Sequence, residues 1–508
     1  MTLHAVAPLN ELPEDRATRF ELGDLAVVLV RQAGQVSAYQ ADCPHAGAPL
    51  EDGAVCEGFL ICPWHKAAFA IDDGRVCEPP ALVDLKRYAA RVVGDTVWVD
   101  DQPMANRPTP TRPDKRCLVV IGAGAAGTAA VATLHRQGFA GRLVWLDREP
   151  QPAYDRTALS KFVIAGQLPP HEVPPLLGED ARQAAHIQQA EVKAIDIQAR
   201  TLHLNDGQAL AYDAALLATG GIAQRPDMEG ATLPGTFVLR SRADAEKILA
   251  GATQGSTAVI VGDSFIGLEA ASALSERGLK VHVVSRHAVP LARQVGERIG
   301  QALKALHQQH GVEFHGPCEP VRLAGNDHVH AVHLDDGTVL AADLVLFGTG
   351  VKPATACVQS LRLAEDGSVN VDAHLRAAEG LWAAGDIVTF PLAGKPVRIE
   401  HWRVAQQHGV LAALNMLGER HRYADVPFFW TYHYGQNLEV LGHATGWSRI
   451  VYHGEPEHGA FIALLCEGEQ VVSVVARDES RAMAVLAQKM KRALTVPLAL
   501  AMIKAAHR

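Results

Sequence analysis

The chain has 508 residues, 48% hydrophobic and 20% charged, enough apolar content for several cores and an expectation of three or four domains. A formal net charge of −9 argues against a nucleic-acid surface, and no apolar run reaches the ~18 residues needed to cross a bilayer. The 8 cysteines include no close redox pair and Met1–Asn10 shows no secretory pattern, so a reducing cytoplasm is the expected setting.

The first chemistry-bearing element reads Cys43-Pro-His45, then, after sixteen residues, Cys62-Pro-Trp64-His65. Each Cys/His pair sits in a Gly/Pro-rich loop beside short strand-like stretches such as Phe59-Leu60-Ile61. Two thiolates can hold one iron and two neutral imidazoles the other, which is the ligand set of a Rieske [2Fe–2S] cluster. Cys₂His₂ also suits zinc, although the helix-borne H-x₃₋₅-H of a finger is absent. The run resembles Rieske ferredoxins, which implies an all-β domain over residues 1–102. Ala48 and Trp64 stand where disulfide-clamped members carry extra cysteines, which implies the unclamped, lower-potential type.

Residues 103–116 are rich in proline and charge and read as a semi-rigid linker. An apolar strand from Cys117 then runs into Gly122-Ala-Gly124-Ala-Ala-Gly127 and an Ala-rich helix. The next strand, Arg142–Leu146, ends in Asp147, twenty residues past Gly127. This is a dinucleotide-binding arrangement: the glycines admit the pyrophosphate, the helix N-terminus stabilises its charge, and the acid accepts from the ribose. Asp147 is the first candidate for that acid and Glu149 the second.

A second strand–turn–helix unit follows at Gly262-Asp-Ser264-Phe-Ile-Gly267, with serine at the middle glycine position. Its following strand ends at Ser285-Arg286-His287, where an NAD site usually presents an acid. Arg286 would pair with a 2′-phosphate and Ser285 and His287 could add hydrogen bonds, so NADPH is expected over NADH. The alternative is that Arg286 points to solvent and NADH binds without the acid.

Around these units, Tyr154-Asp-Arg156-Thr-Ala-Leu-Ser160-Lys161 is similar to a run of oxygenase-serving ferredoxin reductases. Ala218-Thr219-Gly220 resembles their domain-crossing strand end, and Ala384-Gly385-Asp386 their flavin-ribitol element. The order of these motifs resembles the two-dinucleotide-domain flavoprotein reductases, and the entire chain resembles the Rieske-containing, apoptosis-inducing-factor-like group. The resemblance implies a multidomain fold. An α/β glutathione-reductase-like flavoprotein would bind FAD over 117–244 and 353–422 and NAD(P)H over 245–352, with an α+β C-terminal domain over 423–508 that often helps dimerisation. It further implies that Lys161 pairs with Glu269 beside the flavin and that Arg156, Thr219, Gly220, Asp386 and Trp402 are flavin neighbours; Trp402 could equally be a core aromatic. Phe162–Gly166 carries no thiol, so the sulfur chemistry of disulfide and peroxide reductases on this scaffold is not expected.

The parts imply a path in which a nicotinamide cofactor gives a hydride to FAD and a [2Fe–2S] cluster passes single electrons outward. The acceptor would be an oxygenase component, a haem protein or a quinone-like small molecule, and the linker would let the Rieske domain move between flavin and partner. A redox-sensing interaction protein and a direct NAD(P)H oxidase are the alternative readings.

Overall fold

The computed structural model describes residues 2–105, 111–358 and 360–507; residues 106–110 of the expected linker lie outside these. The N-terminal unit is all-β. Six antiparallel strands run in the spatial order Leu3–Pro8, Thr96–Pro103, Arg87–Val93, Gln35–Gln40, Leu25–Gln32, Arg16–Leu22. A smaller meander, Ala54–Cys56, Phe59–Ile61, Ala68–Ala70 and Val76–Glu78, carries the second Cys/His loop between its two middle strands. The strand Thr96–Pro103 extends one residue into the expected linker.

Two parallel sheets follow. In the first, Cys117–Ile121 lies between Arg142–Asp147 and Ala214–Leu217, and Leu381–Ala383 returns beside the latter. These strands are nearly continuous apolar runs, as expected when helices cover both faces. The helix Ala125–Arg136 packs against Trp402–Met416 so closely that a Cβ at Gly409 would stand 2.0 Å from the Ala126 carbonyl oxygen. Trp402 begins the second of these helices.

The second parallel sheet runs Thr236–Phe237, Leu344–Phe347, Thr257–Val261, Lys280–Val284, Glu313–His315. The crossing between sheets is an antiparallel pair, Gly221–Ala223 with Val351–Pro353. The second unit thus begins upstream of residue 245, because Thr236–Phe237 bonds to its sheet and Ala245 and Ile248 are buried in its core. No long apolar run marks that entry in the sequence.

The C-terminal unit is a five-stranded antiparallel sheet backed by the helices Ser480–Lys489 and Val496–Ala506. The last helix buries Val496, Ala499 and Ile503, while Leu498 and Leu500 face outward. Among the described residues, no helix is long and apolar enough to cross a membrane.

Candidate active site

The two glycine turns divide their labour by position. At Gly122 the backbone takes φ +108°, and a Cβ would stand 2.3 Å from the Ala218 carbonyl oxygen. At Gly127 a Cβ would stand 1.9 Å from the Gly122 oxygen, so this glycine lets the helix close onto the strand. Gly124 differs: a Cβ there would meet nothing within 4 Å, because the position opens on a cleft. The second turn repeats the pattern at Gly262 (φ +109°) and Gly267. Ser264 caps its helix, accepting from Gly267 N at 3.2 Å and donating to the Gly348 carbonyl at 2.9 Å.

The cleft is lined by Gly124, Ala125, Arg156, Lys161, Asp386 and Trp402. Asp147 and Glu149 line a second hollow together with Ala123, the residue before Gly124. Burial pushes the Asp147 carboxyl up to about 6. Glu149 is engaged instead: it accepts from Arg156 Nη2 at 2.6 Å and from the Tyr154 hydroxyl at 2.9 Å. Asp386 pairs with Arg240 at 2.7 Å. The Trp402 indole nitrogen is buried with no hydrogen-bond partner among the described residues, although its ring lines the cleft. An open Gly124, an unpartnered indole and a nearly free acid at the strand end fit an elongated dinucleotide such as FAD. Gly220, at φ +68°, lines the cleft, but Thr219 does not; its hydroxyl donates to the Ala354 carbonyl at 2.7 Å and so ties the crossing strands together.

Lys161 and Glu269 meet as the resemblance implied, 3.0 Å apart and both buried. Lys161 sits on a π-helical turn, Leu159–Val163, and Glu269 in the first turns of the helix Phe265–Glu276. The carboxylate also accepts from Ser160 Oγ (2.5 Å), Thr431 Oγ1 (2.8 Å) and Tyr432 N (3.2 Å). These added donors meet the condition under which a buried ion pair is tolerated. Thr431 continues to His433 Nε2 at 3.0 Å, and burial lowers that imidazole to about 3, which keeps it neutral.

At the pyridine-nucleotide end the three expected contacts separate. Ser285 is buried and its Oγ accepts from His287 N at 2.9 Å. The His287 ring faces the Asp263 carboxylate at 3.2 Å. Arg286 is 74% exposed, and its guanidinium is held by Glu319 at 2.8 Å.

The Cys/His loops lie over the same cleft. Cys43 and Cys62 are buried, unbridged and paired sulfur to sulfur. The two Nδ1 atoms of His45 and His65 are 3.1 Å apart, with the rings nearly perpendicular. Burial lowers both imidazoles, the neutral form a metal takes. Among the described residues, the sole trio of His, Cys or acidic ligand atoms gathered within 4.8 Å lies elsewhere. Two sulfurs on one side and two nitrogens on the other fit a two-iron cluster and not the single tetrahedral centre of zinc.

The histidine edge is covered. The His65 ring lies 4.1 Å from the ring of Trp430, which lines the flavin cleft, and His45 Nε2 lies 3.9 Å from the Asp155 carboxylate. Lys66, fully buried, donates to Glu439 at 2.9 Å. Arg403 reaches from the helix Trp402–Met416 to Glu78 (2.6 Å) and to the carbonyls of Pro79 (2.8 Å) and Lys66 (3.0 Å). Gln488 and Lys491 close on the other Glu78 oxygen. Burial would raise the Glu78 carboxyl, but Arg403 and Lys491 outweigh it and hold it at about 2. Apolar contacts span the same boundary: Leu82 joins the first flavoprotein core, and Ala54, Ile61 and Ala68 pack on Ala484. The N-terminal unit is thus docked on the flavoprotein and C-terminal units. Its apolar contacts supply the drive and its buried charges fix the register. Lys66, Glu78, Arg403 and Glu439 were not singled out from the sequence, since isolated residues in separate segments carry no spacing signal.

Comparisons with known proteins agree with this layout. Residues 116–409 match the pyridine nucleotide-disulphide oxidoreductase family, 2–89 the Rieske [2Fe-2S] domain and 428–505 the reductase C-terminal domain. The chain is 30% identical over 498 residues to apoptosis-inducing factor 3 of Homo sapiens, covering 93% of this chain and 81% of that one. It is 35% identical over 355 residues to the ferredoxin–NAD(+) reductase component of the biphenyl dioxygenase system of Paraburkholderia xenovorans, covering 68% and 86%. The crystal structure of a ferredoxin reductase from Rhodopseudomonas palustris superposes with a TM-score of 0.71 at 25% identity, over 77% of this chain and 100% of that one.

Proposed function

The chain belongs to the pyridine nucleotide-disulphide oxidoreductase family and carries its own Rieske domain; from that premise we propose that it is a ferredoxin-reductase-like enzyme whose first electron acceptor is built in. When bound, FAD would accept a hydride from the nicotinamide cofactor and the [2Fe–2S] cluster would carry electrons away singly. One observation carries the reading: His65 rests on Trp430, and Trp430 lines the flavin cleft beside Lys161.

The chain's residues divide the work. Cys43, Cys62, His45 and His65 would hold the irons. Gly124, Asp147 and Asp386 would seat the FAD pyrophosphate, adenosine ribose and ribitol. Lys161, fixed by Glu269, would place a cation at the flavin edge, where negative charge develops on reduction. Gly262, Ser264 and Gly267 would receive the nicotinamide cofactor.

NADPH, expected from Ser285-Arg286-His287, loses ground as the donor. Glu319 already holds Arg286 and would repel a 2′-phosphate, and several relatives are named as ferredoxin–NAD(+) reductases. NADH is therefore the donor this reading favours. The external acceptor is a one-electron partner, such as an oxygenase component or haem protein, and Trp64, 42% exposed beside His65, offers it an apolar contact. Eight cysteines, none of them in a disulfide, suit a reducing cytoplasm.

The test is His65→Ala under anaerobic conditions. It should leave bleaching of the flavin by NADH intact and abolish reduction of a one-electron dye or cytochrome c. Undiminished dye reduction would mean that electrons leave from the flavin, as in an oxidase.

A further inference from the structure

Away from the cleft, the strand Glu313–His315 forms the edge of the second parallel sheet and pairs with Lys280–Val284. The register sets His282 opposite Glu313 and Val284 opposite His315. With side chains alternating along each strand, His282, Glu313 and His315 share one face. His282 Nδ1 lies 3.0 Å from His315 Nε2 and 3.6 Å from a Glu313 carboxylate oxygen, and the three ligand atoms all lie within 4.8 Å of one another. Bonds of roughly 2.0–2.2 Å to one zinc ion would set its ligands about 3–4 Å apart.

We propose that His282, Glu313 and His315 bind one divalent first-row transition-metal ion, zinc being the closest chemical match. Two imidazoles, one carboxylate and a position left to water make a recurrent zinc donor set. Both histidines stand on paired strands, so the donors are preorganised by backbone hydrogen bonds and not by a loop. The histidines are partly buried, whereas the Glu313 side chain is 69% exposed, which gives the ion its entry side. Burial lowers the His282 imidazole and so favours the neutral form that ligation needs.

Without an ion, the two facing nitrogens share one proton in an N–H···N hydrogen bond. On binding, that proton moves to the far nitrogen of the same ring by tautomerisation, and no proton need be released. The ion would tie the edge strand to the strand ending in Ser285-Arg286-His287. Ser285 N already donates to the His315 carbonyl at 2.9 Å, so the clamp would brace the coenzyme-selecting turn from behind.

The experiment uses the full-length protein with flavin and cluster bound, both followed by their visible spectra. After equilibrium dialysis against zinc, metal is counted by emission spectroscopy in wild type, Glu313→Gln and the double variant His282→Ala/His315→Ala. The wild type should hold one zinc that the double variant lacks, Glu313→Gln should bind it at least ~10-fold more weakly, and zinc should raise the Tm of the wild type alone. Because Glu313 is exposed, its variant keeps the test valid if the double variant folds poorly. X-ray absorption at the zinc edge should show nitrogen and oxygen neighbours only. Equal zinc in wild type and Glu313→Gln at every concentration, or sulfur neighbours that place the ion on the cluster cysteines, would overturn the proposal.

Discussion

Replacing Arg403 by Met tests whether the Rieske unit works from its docked position. The change keeps side-chain length and apolar volume but removes a guanidinium that is 2% exposed. Glu78 would keep Lys491 and Gln488 but lose its 2.6 Å partner, and the carbonyls of Pro79 and Lys66 would lose their donor. Removing one member of a buried ion pair costs about 3–5 kcal/mol. With Lys491 still in place the lower end applies, and about 3 kcal/mol is roughly a hundredfold in the docking equilibrium. The assay is stopped-flow mixing with NADH, reading flavin bleaching and cluster reduction separately, with small-angle scattering for overall dimensions. Bleaching should keep its wild-type rate, cluster reduction should slow, and the scattering radius should grow. The double variant Glu78→Gln/Arg403→Met, which leaves no orphaned charge, should recover part of the loss. Cluster reduction at the wild-type rate in a particle of unchanged radius would refute the reasoning.

Three further outcomes follow from the same geometry. Gly124→Val should leave the apo-protein's Tm nearly unchanged yet prevent FAD retention, whereas Gly127→Ala, whose Cβ would stand 1.9 Å from a carbonyl oxygen, should lower the apo-protein's Tm itself. Asp147→Asn concerns an acid raised by burial to about 6: the folded apo-protein binds its proton more tightly than the unfolded chain, so stability falls as pH climbs from about 4 to about 6 and the loss is complete above. The asparagine variant should therefore gain up to about 3 kcal/mol at pH 7 in urea unfolding of the apo-protein while binding FAD more weakly. Lys161→Met would strand the Glu269 carboxylate with neutral donors alone; reduction of the bound flavin should slow and its midpoint potential fall, both read in an anaerobic titration.

What the sequence disclosed follows from how tightly chemistry ties residues to one another locally. Cys43, His45, Cys62 and His65 were legible because ligands on two short loops must recur at short spacing. The glycine turns were legible because strand, tight turn and helix are contiguous. The Lys161–Glu269 pair spans 108 residues and was accessible only through resemblance. The docking surface was not legible: Lys66 meets Glu439 across 373 residues, and Arg403 meets Glu78 across 325. Thr219 and Arg286 show the opposite failure. Each sits in a recognisable motif, but Ala354 and Glu319, distant in sequence, engage their polar groups.

The central claim is that electrons entering as a pair leave one by one through a cluster carried on the same chain and seated over the flavin. An anaerobic NADH reaction across a range of protein concentrations, with flavin colour and the cluster's paramagnetic signal followed in the same samples, tests it most directly. The account predicts that the signal appears as bleaching proceeds, at a rate independent of protein concentration. A fully bleached flavin beside a stoichiometric cluster that stays oxidised, or that is reduced only in proportion to protein concentration, would contradict it.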